Sequence, residues 1–191
     1  NQLLEAALHA FAAEGYHGAS MSDMAAQAGI QKSSIYNHYA SKEELFLAVV
    51  RHVYRRYTEE LETVLKTNRH RPGEQRLKAV IAWVTDFLSK DTAGQFYVHF
   101  FLFPPDQLRR RVHSEFLQFE QEGDQLLAPV FAEILRQYPG GDYSVRQLLD
   151  AFYCLLDGVS VQMFNYDTDT QTRKREAAWH LFWSAVTGSR P

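Results

Sequence analysis

The sequence predicts an all-α protein: an N-terminal three-helix domain of helix-turn-helix dimensions, followed by a larger helical domain. Three observations carry this. Apolar residues recur at three- and four-residue spacing almost throughout. No run alternates apolar and polar residues as a half-buried strand would. Capping residues, glycines and prolines divide the periodic stretches into about nine helices.

Leu4, Leu8 and Phe11 mark a first helix, with Gly15 as its left-handed C-terminal cap. Ser20 and Asp23 then have capping-box spacing ahead of Met24 and Ala28, and Gly29 closes this short second helix. A third helix covers about Lys32 to Tyr39. Ser41 with Glu44 makes another capping box and opens a long fourth helix, 42–66, whose buried stripe is Leu45, Val49, Val53, Tyr57 and Leu61. This gives an N-terminal domain at 1–45 and a second at 46–191, joined by that helix, which ends at the polar, basic break Thr67 to Gly73.

Leu77, Val80, Val84 and Phe87 mark the fifth helix. Phe96 to Phe103 is a short sixth helix ended by Pro104 and Pro105. Leu108, Val112, Phe116, Phe119, Leu126, Val130, Ile134 and Tyr138 keep one helical register across Gly123 and Pro129. They predict one long helix, kinked at Pro129. Pro139-Gly140-Gly141 is a turn. Val145 to Met163 gives the eighth helix, and Trp179, Phe182, Trp183 and Val186 mark the last.

Composition narrows the function classes. Of the 191 residues, 46% are hydrophobic and 23% charged, as in an ordinary globular protein. No apolar run reaches the roughly 18–20 residues of a membrane span. The first residues, Asn1 to Ala13, read as an amphipathic helix and not as a secretory leader. Cys154 is the one cysteine, which excludes an internal disulfide and suits a reducing cytoplasm. Its apolar surroundings predict a small buried side chain, against the alternative of a reactive thiol. There is no phosphate-cradling glycine loop, no nucleophile elbow and no metal-ligand spacing, so the expectation is a protein that is not an enzyme and carries no metal or cofactor.

The net charge of −3 does not advertise nucleic-acid binding, and over residues 1–50 two lysines face five acidic residues. Local placement says more. Between Ile30 and Lys42 there is no acidic residue. Lys32 and Lys42 both fall at helix starts, where a cation opposes the helix dipole; they make sense there if they and the helix N-termini face phosphates. Two short helices joined at Gly29 have the dimensions of a helix-turn-helix, whose second helix enters the major groove. Ile35 and Tyr39, four apart, dock inward, while Ser33, Ser34 and Asn37 are short enough to bring the backbone close to base edges.

The run from Met24 to Ile30, then Ser34 to Leu45 (SIYNHYASKEEL), with Ala6, Ala7, Leu8, Phe11, Gly15, Tyr16 and Gly18 before it, resembles the DNA-binding segment of the TetR family of regulators. One departure is Gln31, where the family often has a capping Ser or Thr. The resemblance implies that Ser34 and Asn37 face bases, with Lys32 and Ser33 at the leading end of the helix. Tyr36, His38 and Lys42 would contact phosphates, and Ser20 would cap the second helix near the DNA backbone. Tyr36 has a rival reading as a core aromatic.

For the remainder, the resemblance implies a ligand-binding and dimerisation domain. The chain would be a sequence-specific DNA-binding transcriptional regulator, a repressor in the cytoplasm. It would form a homodimer on a palindromic double-stranded operator and release it when a small apolar or aromatic molecule binds. The alternative is a constitutive dimeric DNA-binding protein without a ligand. The stretch from Trp83 to Phe119 is rich in aromatics, and Trp83, Phe87, Phe96, Tyr97, Phe100, Phe103, Phe116 and Phe119 are the candidate pocket lining. Arg109, Arg110 and Arg111 read as a solvated helix face, or alternatively as a site for an acidic ligand head. The dimer face is expected on the last two helices at Phe152, Leu156, Val159, Met163, Trp179, Phe182 and Val186.

Overall fold

A computed structural model describes residues 2–139 and 142–188. Among them it contains nine α-helices and one short 3₁₀ turn, and no strand. The helices are α1 (Gln2–Gly18), α2 (Met21–Gln27), α3 (Lys32–Tyr36), α4 (Lys42–Thr67), α5 (Gly73–Lys90), α6 (Thr92–Leu102), α7 (Arg109–Gln137), α8 (Val145–Gln162) and α9 (Thr168–Thr187); the 3₁₀ turn is Asp106–Leu108. Asn1 and the Gly140-Gly141 part of the expected turn lie outside the described residues.

The local punctuation works as its chemistry requires. Ser20 accepts the Asp23 N–H at 3.1 Å and donates to its carboxylate at 2.6 Å, which starts α2. At the other end Gly29 takes φ +68. Its N–H bonds the Ala26 carbonyl at 3.1 Å and the Ile30 N–H bonds Ala25 at 3.0 Å, the paired bonds of a Schellman motif. Ser41 accepts the Glu44 N–H, but the Glu44 carboxylate reaches back to the N–H of Ala40, one residue before the cap. Gly15 does break the first helix, at φ 71 and ψ 175. That is a glycine-only extended region and not the left-handed well expected of a cap. One more helical turn then carries the chain to Gly18.

α6 begins four residues earlier than the aromatic run suggested, because Asp91 caps it by accepting the Ala93 N–H at 2.8 Å. α7 is continuous through Pro129. Ser144 and Gln147 form a full capping box on α8, and Asp167 caps α9. The amide of Thr170 holds the Asp167 carboxyl below its usual range by bonding its ionised form.

By contacts the described chain divides into two compact units, one of residues 1–59 and 87–120 and one of residues 60–86 and 121–191. In the first, α1 packs on α2 and α6, and α2 packs on α3. Its core is built on Phe11, Leu8, Phe46, Leu45, Val49, Phe96 and Phe100, all essentially without solvent access. Phe46 sits edge-on to Phe11 at 5.1 Å and to Phe100 at 4.8 Å. Gly94 of α6 lies against the end of α5; a Cβ there would meet the Phe87 carbonyl oxygen at 2.0 Å.

In the second unit α8 packs against α9. Its core includes Leu77, Val80, Phe131, Ile134, Leu148, Phe152, Leu156, Trp179 and Val186. Buried Arg76 pairs with Glu133, and the Trp179 indole N–H donates to Glu74 at 3.3 Å. No helix of the described residues is long and apolar enough to cross a membrane.

Candidate functional site

The helix-turn-helix segment is assembled around a single anchor. α3 ends at Tyr36, short of the expected Tyr39; Ile35 is fully buried, while Lys32 and Ser33 on the helix and Asn37 and His38 just after it are exposed and Tyr36 is 49% exposed. That exposure excludes the core reading of Tyr36. Tyr39, expected in the core, is only half-buried. Gln31 makes no side-chain cap, so the N–H groups at the start of α3 are left to other acceptors. Ser34 and His38 line a cleft of about 470 Å³ with Gln2, Leu3, Ala28, Ile30 and Tyr39, so Ser34 is half-buried and less outward than Ser33.

Lys42 sits differently from the sequence expectation. Its ammonium donates to the carbonyl of His17 at 3.3 Å and lies 5.0 Å from the centre of the Tyr16 ring. Burial lowers its pKa, partly countered by the Glu14 carboxylate. The cation that looked misplaced at the start of α4 thus stands at the C-terminal end of α1, where a helix favours positive charge. This contact comes from residues 25 positions apart and leaves no trace in local spacing.

The aromatic candidates do not form one lining. Phe96 and Phe100 are core, 5.7 and 4.8 Å from Phe46. Phe87 is buried edge-on to Tyr57 at 5.4 Å, and Trp83 donates its indole N–H to Glu60 at 3.1 Å. Phe103 is 70% exposed. Tyr97 and Phe119 belong to a half-buried set with Tyr57 and Phe101, packed on buried Tyr54. Of the aromatics expected to line a pocket, Phe116 alone borders the cavity of about 620 Å³ formed by α4, the end of α6 and the start of α7. The sequence reading missed Tyr54, Leu102 and Val112 there, while Phe101 belonged to the aromatic stretch and His113 was open as either a polar pocket group or a surface histidine. The legible signal was the spacing of Arg109, His113 and Phe116, which puts all three along one side of α7.

The expected dimer face needs a similar correction. Phe152, Leu156, Trp179 and Val186 are at most 6% exposed in the single chain and hold α8 and α9 to their own unit, so they offer no surface to a second copy. Val159, Met163 and Phe182 are half-buried and border an open groove of about 510 Å³. Beside polar and charged residues such as Arg146, Asp150, Arg173 and Glu176, the outward residues of α8 and α9 include a set of small ones, Ala151, Cys154, Gly158, Ala178 and Ala185, with Val161 and Leu181 among them. Cys154 is therefore exposed, not buried as its apolar neighbours suggested. Among the described residues no group of three or more His, Cys, Asp or Glu side chains could hold a metal ion.

Comparison with known proteins agrees with this geometry. Residues 3–49 match the family model described as bacterial regulatory proteins, tetR family. The chain is 39% identical over 93 residues to the HTH-type transcriptional activator FasR of Mycolicibacterium smegmatis, covering 49% of this chain and 42% of FasR. It is 30% identical over 87 residues to the HTH-type transcriptional repressor NicS of Pseudomonas putida, covering 46% and 40%. The chain thus matches about two fifths of the length of each of these curated relatives. Its fold is similar to that of the transcriptional regulator FadR from Bacillus subtilis in complex with stearoyl-CoA, with TM-score 0.75, 18% identity, and coverage of 96% of this chain and 97% of that one. Residues 3–49 thus carry the DNA-binding segment of the bacterial regulatory proteins of the tetR family, and the fold of the chain is similar to that of such regulators.

Proposed function

We propose that the chain is a sequence-specific DNA-binding repressor that acts as a homodimer and releases its operator when a small molecule with an apolar body binds. The observation that carries the reading is α3. A helix with one buried side chain, Ile35, turns Lys32, Ser33 and Tyr36 to solvent, Asn37 is exposed at its C-terminal cap, and no acidic residue lies between Ile30 and Lys42. Lys32 and Tyr36 suit phosphate contacts, Ser33, Ser34 and Asn37 suit base edges, and His38 flanks them. Ser20 and Lys42 hold the helix ends that aim this surface. The small, outward residues of α8 and α9 suit close approach of a second copy, which would set two recognition helices about 34 Å apart on a palindrome. Binding of stearoyl-CoA by the similarly folded FadR supports an effector with an apolar chain.

The test is selection from a randomised duplex pool at several salt concentrations, with Tyr36→Ala and Lys32→Ala beside the wild type. A recovered palindrome whose affinity falls with salt, and falls about tenfold with Tyr36→Ala, is expected. No enriched sequence from a folded wild-type protein would sink the DNA-binding reading.

A further inference from the structure

We propose that the cavity between α4, the end of α6 and the start of α7 binds an anionic amphiphile: an apolar chain or ring body that ends in a carboxylate or phosphate. The inference rests on the effector-responsive reading and names the chemistry of the effector and its seat. At about 620 Å³ the cavity has the size of small-molecule sites. Its lining is divided by chemistry. Tyr54, Phe101, Leu102, Val112 and Phe116 give apolar wall, while Arg109, Arg110 and His113 supply positive or donor groups, and no acidic side chain lines it.

The basic side is available. Arg109 pairs with Asp106 at 2.7 Å, but the two side chains are 61% and 91% exposed, so a ligand anion can exchange for Asp106 at little cost. Arg110 makes no ion pair among the described residues, although its neighbours Arg109 and Arg111 both do. Two adjacent guanidiniums can hold a planar carboxylate or a phosphate through paired N–H donors. Burial and then the Glu115 carboxylate push the pKa of Tyr54 up, so this residue adds wall and no charge. At the mouth Leu102 is left 42% exposed, an apolar surface that an alkyl or aryl body would cover.

The same turn of α7 that carries the basic side is strapped to α4. Arg51 of α4 pairs with Glu115 at 2.7 Å, and Arg111 stands 3.9 Å from Glu43 in the first turn of α4. A head group drawn to Arg109 and Arg110 pulls on the turn that holds these straps, and α4 starts six residues after the end of α3. Ligand and DNA are linked through that helix if occupied and empty cavities prefer different strap geometries.

The experiment is calorimetric titration of the full chain, below micelle-forming concentrations, with dodecanoate, dodecanoyl-CoA and dodecanol. One bound anion per chain is expected, with dodecanol weaker by about tenfold or more. Arg110→Ala should weaken the anion about tenfold and leave dodecanol unchanged, while Arg110→Lys restores most of the binding. Arg110 is exposed, so these variants fold. Binding of dodecanoate alone assigns a carboxylate head, and binding of the thioester alone assigns a phosphate. Equal affinity for dodecanol, no dependence on Arg110, or no binding of either anion overturns the proposal. If an operator is recovered while no anion binds, this site fails and the DNA reading stands. If anions bind through Arg110 while no operator is found, the site stands and the DNA reading fails.

Discussion

Two faces of α6 make the instructive contrast. Phe96 and Phe100, one turn apart, enter a dry core where they lie 4.6 Å from each other and close on Phe46. Tyr97 and Phe101, turned by about 100°, stack on each other at 5.6 Å and join Tyr57, Phe116 and Phe119 in a half-buried set over buried Tyr54, beside the cavity. The first pair is spent on the core; the second stays partly open to solvent, where the proposed ligand would meet it. Aromatic density alone does not distinguish a core from a pocket. Helical phase does.

Breaking the first face gives the largest expected effect. Phe96→Ala should cost about 3–5 kcal/mol by denaturant unfolding and abolish DNA binding with it. Gly94→Ala attacks the seat of the whole helix, because the new Cβ would meet backbone atoms of Phe87 and Leu88 that cannot swing aside. A loss of about 1–3 kcal/mol is expected in the same measurement. An unchanged midpoint would mean that α6 can lift off the end of α5 freely. The smallest effect belongs to the second face. Phe101→Ala removes a half-buried ring, and roughly 1–2 kcal/mol is expected, with the unliganded protein still able to hold its operator. A cost equal to that of Phe96→Ala would erase the distinction between the faces.

The sequence disclosed what is local. Ser20 with Asp23, Gly29 and Ser41 with Glu44 set helix boundaries through bonds to residues three or four away, and spacing finds such bonds. The anchor Ile35 and the polar face around it were legible for the same reason. What escaped depends on which neighbour wins a side chain. The large residues of α8 and α9, Phe152, Leu156, Trp179 and Val186, were claimed by their own unit, because a core takes bulky apolar groups first. That left Ala151, Gly158, Ala178 and Ala185 outside, residues too small to attract notice in a hydrophobic pattern. Lys42 escaped because the helix end it serves belongs to a distant segment. The basic triplet in α7 was visible, but only the fold sets an unpaired Arg110 beside a cavity.

The shortness of α3 has a consequence for time as well as for shape. A five-residue helix with no side-chain cap and one buried anchor cannot hold itself shut. Its amides are therefore expected to exchange with solvent through local opening, faster than those of α1 and without unfolding of the rest of the head. On the proposed reading, part of the free energy of binding DNA would go into stilling that helix, and a duplex that fits poorly would be released sooner because it could not keep α3 still.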